Sequence, residues 1–393
     1  MHTSPRFHYI DNLRSLALLL GVVFHAALAY GPYFSNIWFT ADSTNHVAFD
    51  YFAIWSHLFR MPLFFAIAGF CAALLISKRG GNGFMTNRLK RVLLPFVLFY
   101  PLTMLVLFHA LGWGADIMHE SPALFTVFEA VKEPVISTMH LWFLWNLTQL
   151  CLLFWLLQKH TSLYQSILAV VVRPAFLLVA LPILLTVALY HQLVPFPAPD
   201  KLYPQLWSYG FYGVLFLIGA GLYHHHTKVV QYARYFTPLL IVACLSLVPY
   251  FYLMPPAPSL DAVIRAANTG VTTPDHIDIY VVIAQSIAIV SWTGVAFLAG
   301  FKWLNRFSQL NKYISDASYW IYLIHVPVLM YIQFPLSNTA LSPWLKVLIA
   351  ISATMALGLV SYQLLVRHTW LGVLLNGKKV KTAAVQHQTT TAS

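Results

Sequence analysis

Arg14 and His25 stand eleven residues apart. At about 100° per residue that is three turns plus about 20°, so one helix carries both on a single face, roughly 16 Å apart. Asp11 falls about 40° from the same face. An imidazole titrates near neutral pH and can take a proton from a hydroxyl, while a guanidinium holds phosphate or carboxylate oxygens through paired hydrogen bonds. A second run, Ser56-His57-Leu58-Phe59-Arg60-Met61-Pro62, places another imidazole and guanidinium one turn apart. In a third, Ser315-Asp316-Ala317-Ser318-Tyr319-Trp320-Ile321-Tyr322-Leu323-Ile324-His325, the side chains of Ser318, Tyr322 and His325 share a helical face at i, i+4 and i+7. These are the parts of a proton-transfer and anion-binding site.

The elements that must position them are membrane spans. Of 393 residues, 59% are hydrophobic and 9% charged, against about 25% charged in soluble domains. Ten continuously apolar runs are long enough to cross about 30 Å of hydrocarbon: 13 to 33, 50 to 77, 92 to 112, 140 to 158, 172 to 192, 209 to 225, 236 to 254, 278 to 300, 315 to 335 and 344 to 366. Alternating patterning is absent, which excludes a barrel and predicts an all-α bundle. With the amino terminus inside, 17 of the 23 Lys and Arg residues fall in cytoplasmic stretches, and ten of the twelve acidic residues fall outside. That bias puts both termini in the cytoplasm and makes the net charge of +11 an orientation signal, not a nucleic-acid footprint. Residues 1–376 read as one membrane domain and 377–393 as a basic, polar cytoplasmic tail near lipid. The three cysteines all lie in apolar runs, so no disulfide framework is expected.

Ionisable groups inside a bilayer mark a buried pair, a cavity or a site. Arg60 lies about 12 Å in from the outer face, at nearly the depth of His25 and His325, which argues for one shared wet cavity. The bland readings are an anchoring Arg14, a core His25 bonded to a carbonyl, and a structural ion pair at Arg60. Asp11 and Asp316 are the only cytoplasmic carboxylates, and at least one of them is expected to pair with Arg14. Arg88 and Arg91, at i and i+3, form a plausible phosphate cradle, and His140 and Trp142 open the fourth run at the outer face. His224-His225-His226 imitates a metal site but falls in a cytoplasmic turn without acidic or cysteine neighbours, so no metal is expected.

The combination resembles the acyltransferase 3 family of integral-membrane acyltransferases, in order and over nearly the whole chain. The residues that carry the resemblance are Arg14 with His25, Phe64-Phe65 with Gly69-Phe70, Arg88 with Arg91, His140 with Trp142, and Ser318-Tyr319 with Tyr322-Leu323 and His325. Ala68 departs from a serine common in the family. His57 to Met61, His140 to Leu144 and Leu374 to Lys378 look most like the branch that succinylates periplasmic glucans. The resemblance implies a ten-helix bundle in the bacterial inner membrane, a cytoplasmic acyl-CoA donor, no bound cofactor, and a saccharide hydroxyl as acceptor. On that reading His25, Arg14, Arg60, Tyr322 and His325 are the catalytic candidates. Arg88, Arg91, Asp11 and Asp316 belong to the donor side, and His57, His140, Trp142, Ser318 and Tyr319 to the acceptor side. The competing class is a transporter or flippase for a saccharide or anionic solute, which also needs charge at the midplane; no inverted repeat supports it.

Overall fold

The computed structural model describes residues 7–131, 136–269 and 278–377, and the basic tail, Arg6 and Lys132 lie outside them. Among the described residues ten longer helices dominate: α1 (His8–Leu28), α2 (Val47–Arg88), α3 (Leu94–Ile117), α4 (Met139–Leu157), α5 (Phe176–Leu189), α6 (Leu206–His224), α7 (Phe236–Leu253), α8 (Ile279–Trp303), α9 (Gln309–Ser337) and α10 (Pro343–Val366). Among the described residues, eight helical stretches are long and apolar enough to cross a membrane, counting Val47–Ile117 as one of 71 residues. The chain is thus an all-α, multi-span membrane protein. Outward faces are unbroken hydrocarbon, as with Leu98, Leu102 and Leu105 of α3 and Ile241, Leu245 and Val248 of α7. In water such faces would aggregate; in lipid they are the solvated side.

The 71-residue stretch turns back on itself. Gly80 has φ 68°, a left-handed value that breaks the helix and that glycine adopts without strain. Both ends of the stretch consequently lie at one end of the bundle, where Asp50 of α2 meets Tyr33 and Gly114 of α3 lies against Phe334. The fifth expected run, 172 to 192, shortens to Phe176–Leu189, which falls below a full span. Arg173-Pro174 precedes it, and Pro182, which lacks a donor, follows a wide turn at Phe176–Ala180.

Two contacts set the centre of the bundle. Where α2 crosses α6, a β-carbon added to Gly69 would sit 1.8 Å from the Phe216 carbonyl, and one added to Gly219 would sit 1.8 Å from that of Ala66. Only glycines permit this backbone approach, the usual way that helices bind without a hydrophobic driving force between them. The second contact runs along α1 and α9, which lie parallel: Arg14 meets Ser315, His25 meets His325, and Ala26 meets Gln333. The first and last described segments share an end of the bundle. There the Tyr9 amide donates to Asn305 on one side, and the Arg91 guanidinium donates to the Asn376 carbonyl on the other.

Candidate active site

Four helices line a cavity of about 310 Å³. Its walls are Gly21, Phe24 and His25 of α1, His57, Arg60 and Phe64 of α2, His140, Trp142 and Phe143 of α4, and Tyr322 and His325 of α9. Phe34, Trp38 and the 193–198 segment line the side away from Arg14, a roof, and Ala17 and Leu18, one turn beyond Arg14, form the floor. Seven of the residues singled out from sequence, His25, His57, Arg60, His140, Trp142, Tyr322 and His325, are thereby brought around one space.

Hydrogen-bond accounting assigns the imidazole tautomers. A carbonyl oxygen only accepts, so the contact of His325 Nδ1 with the Tyr322 carbonyl, 2.7 Å, makes that nitrogen the N–H. Its Nε2 is then a lone pair, and it accepts from His25 Nδ1–H at 2.9 Å. The same Nδ1–H donates to the Gly21 carbonyl at 2.9 Å. His25 Nε2 is therefore the lone-pair nitrogen, and no donor among the described residues is bonded to it. The expected carbonyl bond of a core histidine is present, and it leaves the basic nitrogen available. His57 and His140 each donate from Nε2, to the Phe196 carbonyl at 2.9 Å and the Leu323 carbonyl at 3.2 Å. Their Nδ1 atoms are buried without partners.

Arg60 is 5% exposed, and no carboxylate among the described residues answers it. Nε has no hydrogen-bond partner, and none of the ion pairs among the described residues includes this side chain. Its guanidinium lies over the Phe24 ring, 4.1 Å from the centroid, and a methyl group at Gly21 would be 3.3 Å from one terminal nitrogen. The cation is thus held by an aromatic face beside the turn that carries His25. The structural ion pair considered from sequence is replaced by a cation–π contact, which is favourable when desolvated but supplies no countercharge.

Tyr322 lines the cavity, but its hydroxyl donates to the His140 carbonyl at 2.8 Å and ties α9 to α4. Ser318 and Tyr319 do not reach the cavity. Ser318 donates back to the Ser315 carbonyl, and the Tyr319 hydroxyl donates to the Arg91 carbonyl at 2.9 Å, one turn toward the Arg14 end. The remaining candidates gather at that end. Arg14 sits 3.8 Å from Asp11 and donates to Ser315 at 3.2 Å, so the expected partner is Asp11, whereas Asp316 pairs with Lys312. Arg14, Arg79 and Arg88 all lie within electrostatic reach of Arg91. The histidine triplet is dispersed, His224 to the Tyr164 hydroxyl and His226 to that of Tyr9.

The roof carries what the sequence did not reveal. Trp38 stacks on His25, and Phe196 stacks on His57. The Tyr33 hydroxyl donates to the Val194 carbonyl at 3.2 Å, which joins the two covering segments. Burial and the Asp50 carboxylate push that phenol up to about 12, so it stays a donor at any working pH. These residues sit in irregular segments, where no periodicity marks them.

Comparison with known proteins bears on the family of the chain. A family model described as an acyltransferase domain matches residues 7–363. The protein named Glucans biosynthesis protein C from Escherichia coli strain SMS-3-5 / SECEC is 24% identical over 392 residues, which is 96% of either chain. Its namesake from strain K12 is 23% identical over the same span. No solved structure matches.

Proposed function

The chain belongs to this acyltransferase family, and from that premise we propose that it moves an acyl group, succinyl or acetyl, from a cytoplasmic acyl-CoA to a hydroxyl of a glucan or another extracytoplasmic saccharide. One observation carries the reading: the lone pair of His25 Nε2 and the guanidinium of Arg60, which no carboxylate among the described residues pairs, line one cavity. Acyl transfer needs a base for the hydroxyl proton and a donor for the oxyanion that forms, and these two groups are that pair.

In the proposed sequence, His25 Nε2 takes the proton as the acceptor oxygen attacks the thioester carbonyl. Arg60 donates to the oxygen that becomes negative. The carbon–sulfur bond then breaks, and the proton on His25 passes to the departing thiolate. His325 accepts from His25 Nδ1–H throughout, fixing the tautomer as a third group does in other nucleophile–base pairs. Arg88, Arg91 and Arg14 hold the donor's phosphates, because guanidinium forms paired bonds to phosphate oxygens, and Asp11 directs Arg14. About three helical turns separate Arg14 from His25, so the thiol arm alone crosses to the cavity.

We read Val47–Ile117 as two passes and α5 as a short one, which restores ten crossings with both termini in the cytoplasm of a bacterial inner membrane. The outer roof then covers the acceptor side. Purified protein given labelled succinyl-CoA or acetyl-CoA and a glucan should consume thioester and label the saccharide, and His25→Ala should abolish both while expression is retained. Turnover by the alanine variant removes His25 from the base role. An intact thioester with solute movement in vesicles returns the chain to the transporter class.

A further inference from the structure

The loop after α1 is fastened at every stage of its path. Its returning arm donates from Asp42 N–H to the Ala29 carbonyl at 2.8 Å and from His46 N–H to that of Tyr30 at 2.9 Å. Carbonyls at a helix end otherwise lack partners, so the loop completes α1 as it closes. Thr40 donates to Gln333 of α9, whose amide donates to the Ala26 carbonyl at 3.0 Å, the residue after His25. Asp42 pairs with Lys346 of α10 at 2.8 Å, and both side chains are almost wholly buried. Removing two charges from solvent is costly, and the best-attested use of such a pair is to fix one arrangement.

What this clamped loop presents is Trp38. Its ring lies on the imidazole of His25, centroids 5.5 Å apart and planes 20° from parallel. The Gly21 carbonyl and His325 both hold the Nδ1 edge of that imidazole. A ring held by one edge can still rock about it. A stacked indole opposes that motion. We propose that Trp38 is a positioning residue for the transfer reaction, fixing the plane of His25 and so the direction in which Nε2 meets the acceptor hydroxyl. The proposal rests on the reading of His25 as the base.

The test uses the full chain and the thioester assay. Trp38→Phe keeps a flat ring and should retain kcat within about threefold. Trp38→Leu fills part of the space without a plane and should lower kcat by roughly 10- to 100-fold, the scale of a small misplacement of reacting groups, with KM for acyl-CoA and acceptor unchanged. If the leucine variant does not accumulate in membranes, Trp38→Met takes its place with the same expectation. Wild-type kcat in the leucine or methionine variant overturns the proposal, as does a phenylalanine variant that falls equally far. When His25→Ala is inactive and Trp38→Leu is fully active, only the positioning role is lost. When His25→Ala itself turns over, the base reading fails first.

Discussion

The contact between α1 and α9 has two ends that handle charge in opposite ways. At one end Arg14 is about 40% exposed, 3.8 Å from Asp11 and bonded to Ser315, with Lys312 and Asp316 paired nearby. Three turns along, His25 bonds to His325 next to Arg60, and none of the described ion pairs reaches that level. Exposed pairs are weak and exchange readily with water or a ligand. A buried cation without a countercharge costs several kcal/mol, so the fold carries Arg60 at a loss in stability. The difference indicates two jobs. On the proposed function, the exposed end would capture and release the anionic donor, and the buried end would meet the negative charge that arises during reaction.

Arg60 gives the sharpest way to break that contrast, after the loss of activity expected of His25→Ala. Replacing Arg60 with Met should lower turnover by about 10²- to 10³-fold, the scale of removing one oxyanion donor. Thermal stability should stay level or rise, because an apolar chain of similar size replaces a buried charge. A large fall in melting temperature with turnover preserved would make Arg60 structural. At the exposed end, joint substitution of Arg88 and Arg91 by Gln should raise KM for acyl-CoA by roughly tenfold at low salt and leave kcat close to its original value. The wild-type KM should climb toward the variant's as ionic strength rises, though less steeply than for fully exposed charges, because Arg88 and Arg91 are half-buried. A loss confined to kcat would contradict the division of labour.

Depth along a helix was legible in the sequence, and lateral partnership was not. The rise per residue placed His25, Arg60 and His325 at one level, and the cavity contains all three. The charge bias singled out Asp11 and Asp316, and of the two Asp11 stands beside Arg14 while Asp316 pairs with Lys312. Helical phase misled at Ser318: it shares a face with Tyr322, yet its hydroxyl turns back to the Ser315 carbonyl, as serines within helices commonly do. Tyr319 shows the same limit, because whether its ring points to the cavity or to Arg91 depends on where α3 packs. The fifth run reads longer in the sequence than its helix, Phe176–Leu189, because hydropathy registers apolar residues on either side of a helix end, whereas Pro174 and Pro182 bear on where helix begins. Trp38 and Phe196 were invisible, since a loop has no period to read.

The smallest expected effect concerns Asp316. Its carboxylate pairs with Lys312 one turn earlier on α9, with the two side chains 29% and 47% exposed, and its backbone carbonyl accepts from Asn376 at 3.0 Å. An exposed i, i+4 pair contributes about 0.3 to 0.5 kcal/mol. Asp316→Asn keeps the backbone bond and leaves Arg14 with Asp11, so turnover and the KM for acyl-CoA should change by less than about twofold. If KM instead rises tenfold, the carboxylate serves the donor through Lys312, and the capturing surface extends along α9 beyond Arg14, Arg88 and Arg91. The measurement therefore fixes how far the exchangeable end of the molecule reaches, and the buried end is indifferent to its outcome.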